Sequence, residues 1–377
     1  MPVKVRTAEE ARENLGFTVH SIDSARYSCQ NSEWHTCKMC NAYPASSRLY
    51  SVSYSEEDDR VQKLDARGLE WSAGSSCAPD GKMMFLLLHE IIGFLGALFD
   101  LSTGRRVFLP PHNVMCFGVY DSNIIGNGDF VSTRKRSSSG LCFFAGLGFD
   151  SISERYKVFA SEMYYNVQRH WVLTLGVDKS WREIRYTTIT GHIDAAVHIH
   201  GVIYFIPHIT EQESSSKIVA MDVAREKVIG FIPFPYAYHQ SRQRGWGWVP
   251  WIKLNGRLGF IDIIIVPAER KIGESKIEIW TLEIRSMGEE WEKKQTVLLP
   301  LEESEVIRRP TSMRFTFNSI GEIVMLLLSN TIVPPLILIY SFRRDVWRRI
   351  EICGVSEYSS YLSAVRVDDE IAVSFLE

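Results

Sequence analysis

The sequence predicts an all-β chain, a β-propeller of about six antiparallel blades. Three observations lead there. A strand, turn, strand unit first met at residues 98 to 110 returns four more times, apolar runs opened by glycine precede several of the returns, and the C-terminal region alternates as a hairpin able to close a ring.

The five copies are "LFDLSTGRRVFLP" at 98, "VLTLGVDKSWREI" at 172, "IVAMDVAREKVIGFIP" at 218, "EIWTLEIRSMGEEWEKK" at 278 and "LIYSFRRDVWRRIEI" at 338. In each, an apolar or aromatic pair ends in a short charged turn. The strand that follows opens with Trp181, Trp291, Trp347 or an aliphatic counterpart, Val107 or Val228. The spacing drifts over about 45 to 75 residues, as repeat units with insertions do. The glycine-led runs are "DGKMMFLLL" at 80, "HGVIYFIPH" at 200, "NGRLGFIDIIIV" at 255 and "IGEIVMLLL" at 320. Glycine accepts the positive φ of a tight turn, and the branched and aromatic residues after it suit a strand buried on both faces.

Each unit thus supplies three or four strands. A single such sheet exposes an apolar face, so neighbours stack against it, and stacking around a ring leaves only short edges. The recurring Trp or aliphatic residue is expected to pack between blades. Closure falls to the C-terminal "SAVRVDDEIAVSF", residues 363 to 375, pairing with "RLYSVSYS" at 48 to 55. The ring is then closed by N- and C-terminal strands: residues 48 to 377 form the propeller, and residues 1 to 47 are a short irregular leader.

Composition narrows the function. With 377 residues, 45% of them hydrophobic, the chain has material for one large core or two ordinary ones. A formal charge of -3 lacks the basic excess that clamps phosphates, so no nucleic-acid partner is expected. The opening "MPVKVRTAEEARENLG" has no apolar stretch of the export type, which places the chain in the cytoplasm or nucleus. Two apolar runs, 83 to 99 and 323 to 340, are interrupted by His89 and Glu90 and by Pro334 and Pro335, and read as buried strands rather than membrane spans. Seven cysteines, an odd number, read as reduced thiols. Cys29, Cys37 and Cys40, with His20 and His35 nearby, have the donors for a zinc site, but one CxxC pair without a second favours plain surface thiols and no metal.

Several segments, "LFDLSTGRRVFLP", "LGFDSISERYKVFASE", "WVLTLGVDKSWREI", "HGVIYFIPH", "KIVAMDVAREKVIGFIPFP", "KIEIWTLE" and "VWRRIEI", resemble the successive blocks of the F-box-associated, kelch-like domain of plant F-box proteins, in that family's order. The resemblance runs from about residue 48 to the end. It implies the substrate-recognition half of a subunit of an SCF-type E3 ubiquitin ligase, in which a helical F-box ahead of the domain docks a Skp-type adaptor. Residues 1 to 47 depart from that pattern. They contain one leucine, Leu15, and no Leu-Pro pair, so the apolar stripe that F-box helices pack with is missing, and adaptor binding is not expected of this chain.

The function expected is therefore a non-catalytic protein-binding module for an unknown protein partner, without cofactor. Its binding residues are expected in the insert "YAYHQSRQRGWGWVPW", 236 to 251, which holds Tyr236, Tyr238, His239, Arg242, Arg244, Trp246, Trp248 and Trp251. Tyr, Trp and Arg are the residue types enriched at protein interface hot spots. For Trp248 and Trp251 entry into the next blade as core is an equal alternative. The segments "YYNVQRHW" (164 to 171), "STRKRSSSG" (132 to 140) and "SEEDDR" (55 to 60) read as ordinary polar connections. The alternative function is a propeller hydrolase or a small-molecule or metal binder working in the central channel through His198 and His200, with His192 near. No carboxylate follows at comparable spacing, and neither a G-x-S-x-G elbow nor a phosphate-cradling glycine loop occurs.

Overall fold

A computed structural model of the chain describes residues 15–23, 46–54, 61–69, 77–80, 83–90, 93–100, 106–110, 142–164, 167–184, 193–209, 216–241, 250–264, 275–285, 288–299, 312–317, 322–329, 332–351 and 359–365. These residues form six four-stranded antiparallel sheets and one short helix.

Sheet A joins β1 (Leu15–Asp23), β2 (Ser46–Tyr54) and β3 (Val61–Leu69). Sheet B holds β4 (Cys77–Asp80), β5 (Met83–Glu90), β6 (Gly93–Asp100) and β7 (Arg106–Phe108). Sheet C holds β8 (Cys142–Asp150), β9 (Arg155–Tyr164), β10 (Val167–Thr174) and β11 (Arg182–Glu183). Sheet D holds β12 (Ile193–Ile199), β13 (Val202–Pro207), β14 (Lys217–Asp222) and β15 (Lys227–Pro233), and is followed by α1 (Tyr236–Ser241). Sheet E holds β16 (Trp251–Leu254), β17 (Arg257–Ile264), β18 (Lys276–Arg285) and β19 (Gly288–Leu298). Sheet F holds β20 (Ser312–Phe317), β21 (Ile323–Ser329), β22 (Ile332–Ser341) and β23 (Val346–Glu351). The last strand, β24 (Ser359–Val365), returns to sheet A and pairs with β1.

The five returns of the sequence unit are the third and fourth strands of sheets B to F. The glycine-led runs are their second strands, in sheets B, D, E and F. In the two-residue turns His200–Gly201 and Asn255–Gly256 all four φ values are positive, from 48° to 77°, which explains glycine at the second position of each. The first strands adjoin in succession, β4 against β8, then β12, β16, β20 and β24. The two apolar runs tested as membrane spans are the β5–β6 and β21–β22 hairpins. Among the described residues no helix is long and apolar enough to cross a membrane.

Stacking of the sheets explains the alternation of their residues. On β17, Leu258 and Phe260 face sheet D, whereas Ile261 and Ile263 face sheet F, so one strand feeds two junctions. Four buried clusters fill the junctions B/C, C/D, D/E and E/F, around Val158, Ile203, Phe260 and Ile279 respectively. The recurring tryptophans pack at three of these junctions and also make a polar contact. The indole N–H groups of Trp181, Trp291 and Trp347 donate to the backbone carbonyls of Pro110 (2.9 Å), Pro233 (2.9 Å) and Leu298 (2.8 Å), each at the end of the preceding sheet.

Two expectations about the chain ends need correction. Leu15–Asp23, placed in an irregular leader, is strand β1 and pairs along its length with β2. Phe17 and Val19 alternate with Thr18 and His20, a period-two pattern too short to stand out in a segment otherwise poor in aliphatic residues. The C-terminal partner is therefore β1, not residues 48 to 55: Thr18 lies opposite Val365 and Ile22 opposite Tyr361. The second half of the expected C-terminal hairpin, 366 to 375, lies outside the described residues.

Candidate functional site

The two ends of the sheets differ. Antiparallel strands put the first-to-second and third-to-fourth connections at one end, and the second-to-third and sheet-to-sheet connections at the other. The first end carries tight turns, at 151–154, 200–201, 223–226, 255–256 and 342–345 among others. Two aspartates beside them brace the turns themselves. Asp150 accepts the backbone N–H groups of Ile152 (2.9 Å) and Ser153 (3.2 Å), and Asp222 accepts that of Arg225 (2.8 Å). At the second end the flanking strands leave the spans 24–45, 109–141, 208–216, 234–250, 265–275 and 299–311. All the long connections depart from and return to this end. Loops on a rigid scaffold are where recognition usually resides.

The insert following sheet D begins there. Pro235 ends the extended run and its carbonyl receives the N–H of Tyr238 (3.0 Å), starting α1. Tyr238 is only 1% exposed. Its ring stacks on Phe234 at 4.8 Å and meets Trp251 at 5.2 Å and Phe260 edge-on at 5.9 Å. Trp251 in turn meets Trp291 at 5.9 Å. Such aromatic geometry stabilises by about 0.5–1.5 kcal/mol per pair beyond area burial, so α1 is riveted into the D/E junction. Tyr236, at the start of the same helix, is 77% exposed.

The eight residues singled out in the sequence therefore separate. Tyr236 faces solvent and His239 sits half-buried at the edge of the cluster, 6.2 Å from Tyr238. Tyr238 is buried and packs between sheets D and E, which leaves its ring no surface to offer a partner, whereas Trp251 is half-buried and packs against the same cluster, in line with the core alternative. Arg242, Arg244, Trp246 and Trp248 lie outside the described residues. Sequence reading missed Phe231 and Leu298, 45% and 54% exposed near the same end, and the Asp194–His208 pair, in which Nδ1 lies 2.9 Å from the carboxylate. Phe231 and Leu298 look like ordinary strand residues until the sheet edge is known. Asp194 and His208 come together only because β12 and β13 pair.

The histidines of the alternative function serve the fold. His198 Nε2 accepts the backbone N–H groups of Phe149 (3.3 Å) and Gly201 (3.2 Å), linking sheet C to a turn of sheet D. His200 occupies that turn with φ 48°. His192, Cys29, Cys37, Cys40 and His35 lie outside the described residues, as do 132–140 and 55–60. Among the described residues no three His, Cys, Asp or Glu side chains converge as a metal site. Of the segment 164 to 171 only Tyr165 and Asn166 connect strands; Val167 to Trp171 belong to β10, and His170 is buried.

Comparison with known proteins agrees with this architecture. F-box protein At1g67130 of Arabidopsis thaliana is 24% identical over 357 residues, covering 90% of this chain and 71% of that protein. F-box protein At1g47340 of the same plant is 25% identical over 282 residues, covering 74% of this chain and 56% of that protein. Among solved structures, TolB from Acinetobacter baumannii is 14% identical, covers 93% of this chain and 67% of that one, and superposes with a TM-score of 0.45, too loosely to bear on function. Residues 102–372 match the F-box associated beta propeller domain, and with most of its length inside that match the chain belongs to this family.

Proposed function

We propose that the chain is a protein-interaction module whose six sheets close into a ring and whose long-connection end grips the partner. The observation that carries this is the pairing of Tyr236 and Tyr238 on one short helix: one ring is buried as an anchor and the other is presented to solvent. Anchored aromatic residues beside arginines make strong protein contacts because little conformational freedom is lost on binding. Tyr236, Arg242, Arg244 and Trp246 are the contact residues in this reading, with His239 and Trp248 beside them. Tyr238 and Trp251 hold them in place.

Family membership supports a substrate receptor of an SCF-type ubiquitin ligase, in cytoplasm or nucleus, with no catalysis of its own. Residues 1 to 47 dock no Skp-type adaptor in this reading, because Leu15–Asp23 is committed to sheet A and not to an F-box helix. The test is affinity capture from plant extract with the full chain and with Tyr236, Arg242, Arg244 and Trp246 changed to alanine. Loss of a captured protein at unchanged thermal stability supports the assignment. Equal capture by the variant, or loss on changing Ile152 and Arg225 at the opposite end, refutes it. A Skp-type protein co-purifying stoichiometrically overturns the reading of the N-terminal segment.

A further inference from the structure

Junctions B/C, D/E and E/F each carry an indole latch, but among the described residues junction C/D has none, because Val228 stands at the corresponding position of β15 and its side chain has no N–H to offer. Charges hold it instead. Lys157, buried on β9, reaches across to the turn of sheet D and donates to the carbonyls of Val223 (3.0 Å) and Ala224 (3.1 Å) and to the carboxylate of Glu226 (2.9 Å). Its own sheet supplies Asp150 at 3.3 Å. Arg182 crosses the same gap to Glu226 (3.0 Å) while holding Asp178 (3.1 Å). His198 adds a further polar link with the N–H of Phe149.

The junction also holds a small void. A cavity with room for about one water lies among Phe159, Ser161, His170, Ile184, Phe205 and Met221, from both sheets. Ser161 and His170 are buried there, opposite each other on β9 and β10.

We propose that, of the four junctions from B/C to E/F, C/D is the seam at which neighbouring sheets first part, leaving sheets D and E together with α1 as a unit. An indole N–H on a carbonyl does not titrate, and its ring packs on both sheets. A buried ammonium with four acceptors depends on all of them, and losing one partner leaves the others uncompensated in a poorly solvated place. Burial by itself would raise the pKa of Glu226, but hydrogen bonds from Arg182 and Lys157 outweigh it and hold the carboxyl below the usual range. Asp150 and Asp178 are lowered likewise, against burial, by Ser153, Ile152 and Lys157 and by Thr174 and Arg182. Carboxylates with lowered folded-state values stabilise above their ordinary pKa and lose that contribution as pH falls through the lowered one. The carboxylates of this seam therefore lose their contribution in acid; Glu278 and Glu283 on β18 are lowered too, but their cationic partners Lys276, Lys293, Lys294 and Arg257 belong to the same sheet, and the indole bonds across D/E and E/F do not titrate.

Hydrogen exchange read by mass spectrometry at fixed pH on the full chain tests this, with wild type, Lys157→Met and Trp291→Phe. Lys157→Met is expected to speed exchange about tenfold or more in peptides from 155–174 and 202–222, sparing 276–298 and 323–341. Trp291→Phe is expected to act on 227–241 and 276–298. Equal acceleration everywhere, or none at C/D, overturns the proposal. If Lys157→Met does not fold, wild type compared at pH 7 and about pH 3.5, corrected for intrinsic rates, decides. Protection lost first at C/D sustains the seam, and protection lost first at D/E or E/F refutes it.

Discussion

Replacing Tyr238 and Tyr236 one at a time by alanine separates anchor from contact. Tyr238 is 1% exposed and meets three rings within 6 Å, so truncation removes a whole aromatic side chain from a filled junction. The sequence and structure put that loss in the class of large buried deletions, which cost about 3–5 kcal/mol. Over 377 residues the unfolding entropy is about 0.8 kcal/mol/K, so a cooperative transition shifts down by about 4–6 °C. Tyr236→Ala, at 77% exposure, should stay within about 0.5 kcal/mol of wild type. Differential scanning calorimetry with urea titration reads both. Equal destabilisation by the two variants, or none by Tyr238→Ala, would show that α1 is not seated in the D/E junction and would remove the basis for treating Tyr236 as presented.

Four further outcomes are expected. Gly256→Ala forces a side chain to φ 71° with its Cβ 2.5 Å from His200 Nε2, and should lower stability by more than the about 1–2 kcal/mol of left-handed strain alone, measured by urea melts. Trp347→Phe keeps one aromatic ring but removes the donor to Leu298 along with part of the indole, and should cost at least about 1 kcal/mol, with exchange rising at the end of β19. Deleting residues 359–377 strips β24 from β1, and limited proteolysis should then cut within or beside Leu15–Asp23 faster than in the intact chain. Glu226→Gln removes one carboxylate of lowered pKa, so its stability should fall less steeply than wild type as pH drops below about 4, as followed by near-UV circular dichroism.

Much of the fold was legible because each repeated unit is a local event. A charged turn between two apolar strands, or a glycine at positive φ as in Gly201 and Gly256, is written in adjacent residues. The partner of a strand is not. β1 and β24 lie more than three hundred residues apart, and nothing in "FTVHS" names its neighbour. The site divided for a similar reason. The richness of the insert in Tyr, Trp and Arg marked the place, but whether a ring points inward or outward depends on which face of α1 meets Phe234 and Phe260. Tyr236 and Tyr238 are two residues apart and had opposite fates. The Lys157 cluster escaped notice because its members come from two sheets and are each commonplace alone.

The joint between β1 and β24 also sets how the molecule responds to tension. Leu15 begins β1 at the same end at which Val365 finishes β24, since Thr18 stands opposite Val365 and Asp23 opposite Ser359. A pull on both chain termini thus loads one extremity of the pair, and its hydrogen bonds rupture singly, like a zip, and never as a block under shear. Held by its two tails, this chain should yield at low force, with sheet A the first to come undone.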